Sequence, residues 1–315
     1  MASPTRASAQ SRPEPRPAPR GVGLGLRWEF LDEVVERTSD DGAERVAVDF
    51  FEVSPENTMR RGGHQAAALA WLAARYPFVT HGLTMSIGGS DPLDEAYLRD
   101  LKGVIRALGS PWHSDHLCVG AVGGRALHDL LPVSFKRAAV GRIADRIRRA
   151  RDVLQVPLAI ENVSSYWHPG RAELDEPEFL SAVCEAADCG LMLDVNNAYV
   201  NCRNFGRDPG SWLRAAPLGR VVQMHVAGHE WFAAGPRGLG DPVPPETPGA
   251  LVVDSHGAPV ADPVLSLLEQ ALARTGPVPI VLERDENVPS LDALLDEIAR
   301  IRAIWGRASA GHAAA

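Results

Sequence analysis

From Gly21 onward the chain alternates short apolar runs of β type with longer stretches in which apolar residues recur every three to four positions. The short runs fall at residues 21–27, 46–53, 78–81, 112–116, 158–161, 191–194, 221–225 and 279–283. The helical stretches fall at 28–38, 65–76, 93–108, 134–154, 177–187, 208–215, 263–274 and 290–304. Eight strands, each followed by a helix, predict an α/β fold whose parallel sheet closes on itself, the TIM (β/α)8 barrel. Residues 235–259 break the rhythm. They are rich in Gly and Pro with one short apolar run at 250–253, and read as a long excursion after the seventh strand.

Residues 1–20 hold Pro4, Pro13, Pro15, Pro17 and Pro19 among arginines and almost no large apolar side chain, so a disordered Pro/Arg-rich tail is expected. Residues 306–315 read as a flexible C-terminal tail, leaving 21–305 as one barrel domain. The composition, 45% hydrophobic and 23% charged over 315 residues, supports a large core and excludes a fibrous or wholly disordered chain. Lys plus Arg number 32 against 40 for Asp plus Glu, a formal charge of −8, so no nucleic-acid partner is expected. Cys118, Cys184, Cys189 and Cys202 form no CxxC pair, which suits reduced thiols. With no apolar run of about 18 residues and no secretory signal, a membrane partner is not expected and the location is cytoplasmic.

Chemistry enters where the strands end. His81 closes the third, His116 the fourth, Glu161 the fifth, Asp194 the sixth, His225 the seventh and Glu283 the eighth. Asp254 and His256, in a D-x-H run of the excursion, and Asn197, three after Asp194, join them. A lone His at a strand end is more often a hydrogen-bonded structural residue than a ligand. Together, however, Glu161, Asp194, Asp254 and Glu283 on one rim would repel one another without cations. Nine donors exceed one ion's needs and favour two or three metals. His64, His128, His168 and His312 read as exposed, His113 faces away from His116, and His229 orients a neighbour, meets the substrate or is purely structural.

The motifs FEVSPEN, YPFVTHGLTMSIGGSDPLD, HSDHL, LAIENVSSYW, LMLDVNNAYVN, VVQMHVAGHE, DSHG and VLERDENVPSL occur in order. In them the chain resembles the multinuclear non-haem iron-dependent oxidative enzymes (MNIO), xylose-isomerase-like TIM barrels, from about residue 21 to 305. The resemblance implies two or three Fe(II)/Fe(III) ions, with dioxygen as cosubstrate. His81, His116 and bridging Glu161 would hold the first ion; Glu161, Asp194, His225 and Glu283 the second; Asn197, Asp254 and His256 the third. Related trinuclear zinc barrels of endonuclease IV type carry a His where Asn197 stands, and an amide suits a loosely held ion. Glu161, His116 and Asp194 would be the catalytic members. The implied activity is oxidation of a ribosomally made precursor peptide, at a cysteine.

Asn57, Ser86, Asp115, Asn162 and His229 are the candidate substrate or ligand-orienting residues, with a purely structural part open to Ser86 and its glycine-rich loop. Such enzymes act with a separate partner protein that recognises the precursor's leader, and such a partner is expected here. Two other readings compete: a zinc or manganese hydrolase or isomerase on the same fold, and a metal-bound peptide-binding barrel without catalysis. The acidic charge disfavours a nuclease. A sugar isomerase needs a lysine beside its metals, and Lys102 and Lys136 both fall in predicted helices.

Overall fold

The computed structural model describes residues 18–41, 43–235 and 238–313. The predicted tail thus lies mostly outside the described residues. Eight parallel strands close the barrel: β1 (Val22–Gly25), β2 (Phe51–Val53), β3 (Phe78–Gly82), β4 (His113–His116), β7 (Leu158–Glu161), β8 (Gly190–Asp194), β9 (Val221–Val226) and β13 (Ile280–Leu282). Each of the eight predicted runs overlaps a barrel strand. Around them pack α1 (Trp28–Glu36), α2 (Gly63–Ala73), α3 (Glu95–Leu108), α4 (Arg137–Leu154), α5 (Glu176–Ala187), α6 (Val195–Asn204), α7 (Pro209–Ala215), α8 (Asp262–Thr275) and α9 (Leu291–Ala313).

Local chemistry sets the ends of these elements. Asp94 caps α3 through the Ala96 and Tyr97 N–H groups, and Gly109 ends it at φ 66°. Asp175 and Glu178 form a capping box on α5. Inside the barrel, Phe50, Val79, Trp112 and Val281 form an apolar floor. Two residues further along each of these strands, alternation brings Glu52, His81, Ser114 and Glu283 to the same side of the sheet. The floor is therefore apolar and the mouth polar.

Two insertions crown the mouth. After β4, strands β5 (Cys118–Val122) and β6 (Arg125–Pro132) form a hairpin whose turn, Gly123–Gly124, takes φ of 60° and 74°. The long excursion is itself folded: β10 (Glu230–Gly235), β11 (Gly238–Pro242) and β12 (Ala250–Val253) make an antiparallel sheet in the order β11-β10-β12. Trp231 and Val252 pack on Val200 of α6, a small second core that holds the sheet down. The C-terminal end departs from expectation. Residues 306–313 are not a flexible tail but the last two turns of α9. Trp305 and Ala308 pack on the core, the Trp305 indole donates to Val278 O at 2.8 Å, and Arg307 pairs with Glu269.

Candidate metal centre and mouth

Strand register places the acidic and imidazole side chains side by side. His116 is the partner of Glu161 across β4 and β7, and Asp194 the partner of His225 across β8 and β9. Glu161 Oε2 lies 3.0 Å from His81 Nε2 and 2.9 Å from His116 Nε2, and the two Nε2 atoms are 3.3 Å apart. The rings are held from behind: His81 Nδ1 meets Ser114 Oγ at 2.9 Å, and His116 Nδ1–H donates to Gly82 O at 2.9 Å. Three inward donor atoms about 3 Å apart match the separation of ligands on one ion with bonds of about 2.0–2.1 Å.

Two further groups continue around the rim. Glu161, Asp194 and His225 form one; Asp194, Glu283 and His256 form the other. Glu283 Oε2 lies 3.0 Å from His225 Nδ1, and Asp254 Oδ1 lies 2.9 Å from His256 Nε2. Asp194 is at once the last residue of β8 and the N-cap of α6, its Oδ1 accepting from Asn197 N at 2.7 Å. That junction is why the two residues are spaced by three. Asn197 donates to Asn162 O through Nδ2 at 3.0 Å, leaving Oδ1 free. His256 takes φ 51°, a costly left-handed conformation for a non-glycine residue, and is pinned by bonds to Gly228 O and from Asp285 N.

Five of these atoms, Glu161 Oε2, Asp194 Oδ2, Asn197 Oδ1, His225 Nδ1 and His256 Nε2, are buried without a hydrogen-bond partner. Orphaned buried donors in one place are costly unless a cation joins them. The donor set, imidazole and carboxylate with no thiolate, fits divalent transition metals including iron.

Electrostatics carry the same message. Burial pushes the Asp194 carboxyl up, and Glu161 and Asp254 push it further. Burial alone would lower His116, yet Glu161 raises it to about 9. Burial opposes ionisation of Glu161, but His116 and His81 hold it well below the carboxylate range. The site demands positive charge, and protons supply it where no metal does.

The other predicted residues take varied places. Asn57 lines the mouth cavity. His229 Nδ1 meets Asn196 Oδ1 at 2.8 Å, and Asn196 donates to Asp254 at 2.7 Å, so His229 steadies Asp254 at one remove. Burial lowers His229 to about 4, which keeps it neutral. Asn162 orients no imidazole: it exchanges two hydrogen bonds with the Asp194 backbone, at 2.9 and 3.0 Å. Asp115 faces His113, 3.8 Å away, on the opposite side of β4 from His116. Ser86 does not line the cavity; its hydroxyl accepts from the Gly120 and Ala121 N–H groups of the hairpin. His64, His128, His168 and His312 are exposed as expected. Lys102 lies in α3 and Lys136 at the N-cap position of α4, and neither lines the cavity.

Sequence reasoning missed Glu52, whose Oε1 lies 2.7 Å from His225 Nε2. It missed Asp285 as well, which accepts from Arg27 and lies 2.7 Å from His256 Nδ1. Above the centre opens a cavity of about 520 Å³, walled by the hairpin residues 129–132 and the loop 163–167 after β7. Tyr166 and Trp167, 40% and 50% exposed, stand on its rim. Among the described residues no helix is long and apolar enough to cross a membrane.

Solved structures share the architecture. Endonuclease IV of Thermus thermophilus superposes with a TM-score of 0.53 at 18% identity, covering 92% of this chain and 99% of that one. A xylose isomerase domain protein of Alicyclobacillus acidocaldarius gives 0.52 at 16%, covering 93% and 99%. These likenesses concern the fold. In sequence, a UPF0276 protein of Pseudomonas aeruginosa is 43% identical over 286 residues, 90% of this chain and 92% of that protein. A UPF0276 protein of Caulobacter vibrioides is 40% identical over 297 residues, 93% and 97% of the two chains. The profile described as RiPP precursor modification enzyme MbnB/TglH/ChrH matches residues 21–306, the span that builds the barrel and every residue of its mouth. The chain belongs to that family of RiPP precursor modification enzymes.

Proposed function

We propose that the protein is a multinuclear non-haem iron oxidase that uses dioxygen to modify a cysteine of a ribosomally synthesised precursor peptide. Its family modifies such precursors. The observation that carries the reading is the meeting of five buried, partnerless donor atoms at the open end of the barrel. His81, His116 and Glu161 would hold one ion, and Glu161, Asp194, His225 and Glu283 a second. His256, Asp254 and Asn197 would hold a third, with Asp194 and Glu283 within reach. Glu161 would serve both of the first two, because its oxygens face both groups. Bound iron would supply electron transfer and dioxygen chemistry that side chains lack.

The chain's own residues do the remainder. Ser114 and Gly82 O fix the two imidazoles, so their donor atoms need no reorganisation. The cavity is of a size that encloses a short segment of peptide. Tyr166 and Trp167 offer apolar faces to the residues flanking that segment. A separate partner protein would bind the leader and deliver the peptide.

The test is metal content by mass spectrometry on protein produced with iron and purified without oxygen, followed by exposure to precursor, partner and dioxygen. Two to three irons per chain and a mass change on the peptide are expected. Zinc or manganese without iron, or an iron-loaded protein that leaves peptide and dioxygen unconsumed, would overturn the reading. Full turnover of precursor without any partner would remove the partner alone.

A further inference from the structure

Glu52 is 2% exposed, inside the barrel one layer above the apolar floor, within the FEVSPEN motif but not among the donors read at the strand ends. Its two oxygens are both engaged. Oε1 lies 2.7 Å from His225 Nε2, and Oε2 accepts from Gln223 Nε2 at 2.5 Å. The orientation of the Gln223 amide is settled by Trp112, whose indole N–H can only donate and reaches Gln223 Oε1 at 2.9 Å. The amide nitrogen therefore faces Glu52.

This fixes the imidazole. His225 Nε2 lies 2.7 Å from Glu52 Oε1 and 3.0 Å from Gln223 Nε2; the Gln223 amide already donates to Glu52 Oε2, and the closer, charged contact is a carboxylate that can only accept, so His225 Nε2 carries the hydrogen and donates it to Glu52. The opposite nitrogen, Nδ1, has no well-directed hydrogen bond and faces the carboxylates of Glu283 at 3.0 Å and Glu161 at 3.8 Å, so in metal-free protein it holds a proton by charge, and a bound ion would take that proton's place. Although Glu52, His81 and His225 lie close enough to surround an ion, the oxygens of Glu52 are taken by N–H groups. Glu52 thus stands behind the imidazole on the side away from the rim carboxylates.

We propose that Glu52 is a positioning residue of the metal centre, selecting the Nε2–H form of His225 and turning its Nδ1 lone pair toward the ion. A carboxylate behind a ligating imidazole also makes it a stronger donor, which favours the more oxidised ion. Trp112 and Gln223 keep the carboxylate in place. The inference rests on the metal-centre reading above.

The test uses the full chain stripped of metal and reloaded anaerobically with Fe(II), comparing wild type with Glu52→Gln. Three quantities are read: ions per chain, Fe(II) affinity, and midpoint potential followed by electron paramagnetic resonance. The variant is expected to bind Fe(II) about 10- to 100-fold more weakly and to show a higher midpoint potential, because the charge that favoured Fe(III) is gone. Equal affinity and potential in the two proteins would overturn the proposal. A wild type that takes up no iron would instead overturn the metal-centre reading itself.

Where Glu52→Gln does not fold, wild type labelled with 15N-histidine and loaded with Zn(II) decides. A hydrogen-bonded N–H on His225 Nε2, with Nδ1 bound, supports the assignment; the reverse arrangement refutes it.

Discussion

Replacing Glu161 by Gln keeps the side chain's shape and removes the charge on which both histidines converge. In metal-free protein the fully buried His116 is raised from 6.5 to about 9 despite the opposing effect of burial, chiefly by Glu161 at 2.9 Å. At 1.36 kcal/mol per pH unit, that rise is worth about 3.4 kcal/mol. Because the folded value lies above the unfolded one, this stability is fully present below pH 6.5 and is lost as pH rises through about 9. In Glu161→Gln the imidazole keeps its burial, which lowers it, and only the weaker raising influence of Asp115 and Gly82 O, so it titrates below the wild-type value.

The stability advantage of wild type over the variant should therefore shrink by up to about 3.4 kcal/mol between pH 6.5 and 9. Urea denaturation of chelator-treated protein at pH 6, 7.5 and 9 measures it, with the His116 ring proton followed by NMR as an independent readout. Parallel stability curves, or a His116 that still titrates near 9 in the variant, would refute the pairing. With iron present, the variant should fold but lose paired ions. Normal iron content and activity would remove Glu161 from its shared place.

Three further outcomes follow from other parts of the molecule. Burial pushes Glu176 up to about 7 although Trp212 and Asn201 donate to it. Wild type should thus lose about 3 kcal/mol relative to Glu176→Gln as pH rises from 4.5 to 7, measured by denaturation at several pH values. Asn162→Ala strips two bonds from the buried Asp194 backbone and should cost about 2–4 kcal/mol in chemical denaturation, with weaker metal uptake. A loss under 1 kcal/mol would show that the backbone finds other partners. Gly228→Ala would place a methyl 1.7 Å from Ala258 O, so a loss of about 3 kcal/mol or insoluble expression is expected; a thermal midpoint within two degrees of wild type would contradict that packing.

The local periodicity of the chain was enough to read the eight strands, because most are short apolar runs set between stretches of helical period, with β4 (His113–His116) the polar exception. The residues at the strand ends were legible for the same reason: in this fold, strand ends share one rim, so His81, His116, Glu161, Asp194, His225 and Glu283 could be grouped without coordinates. The D-x-H run of the excursion added Asp254 and His256, and the spacing of three after Asp194 added Asn197. What the pattern could not carry was structure whose stability is not local. Helix α6 is buried on nearly every side and lined with asparagines, so it shows no amphipathic stripe. The sheet in the excursion exists because Trp231 and Val252 find Val200, and α9 continues past Trp305 because Ala308 finds the core.

Glu52 marks the boundary most plainly. In FFEV it reads as one polar residue within an apolar strand, and its partners Gln223 and His225 lie about 170 positions away. Sequence determined which side chains each strand offers to the barrel. Only closure of the barrel decided which of them meet across it, since contact between β2 and β9 residues depends on strand register around the whole circle rather than on any local signal.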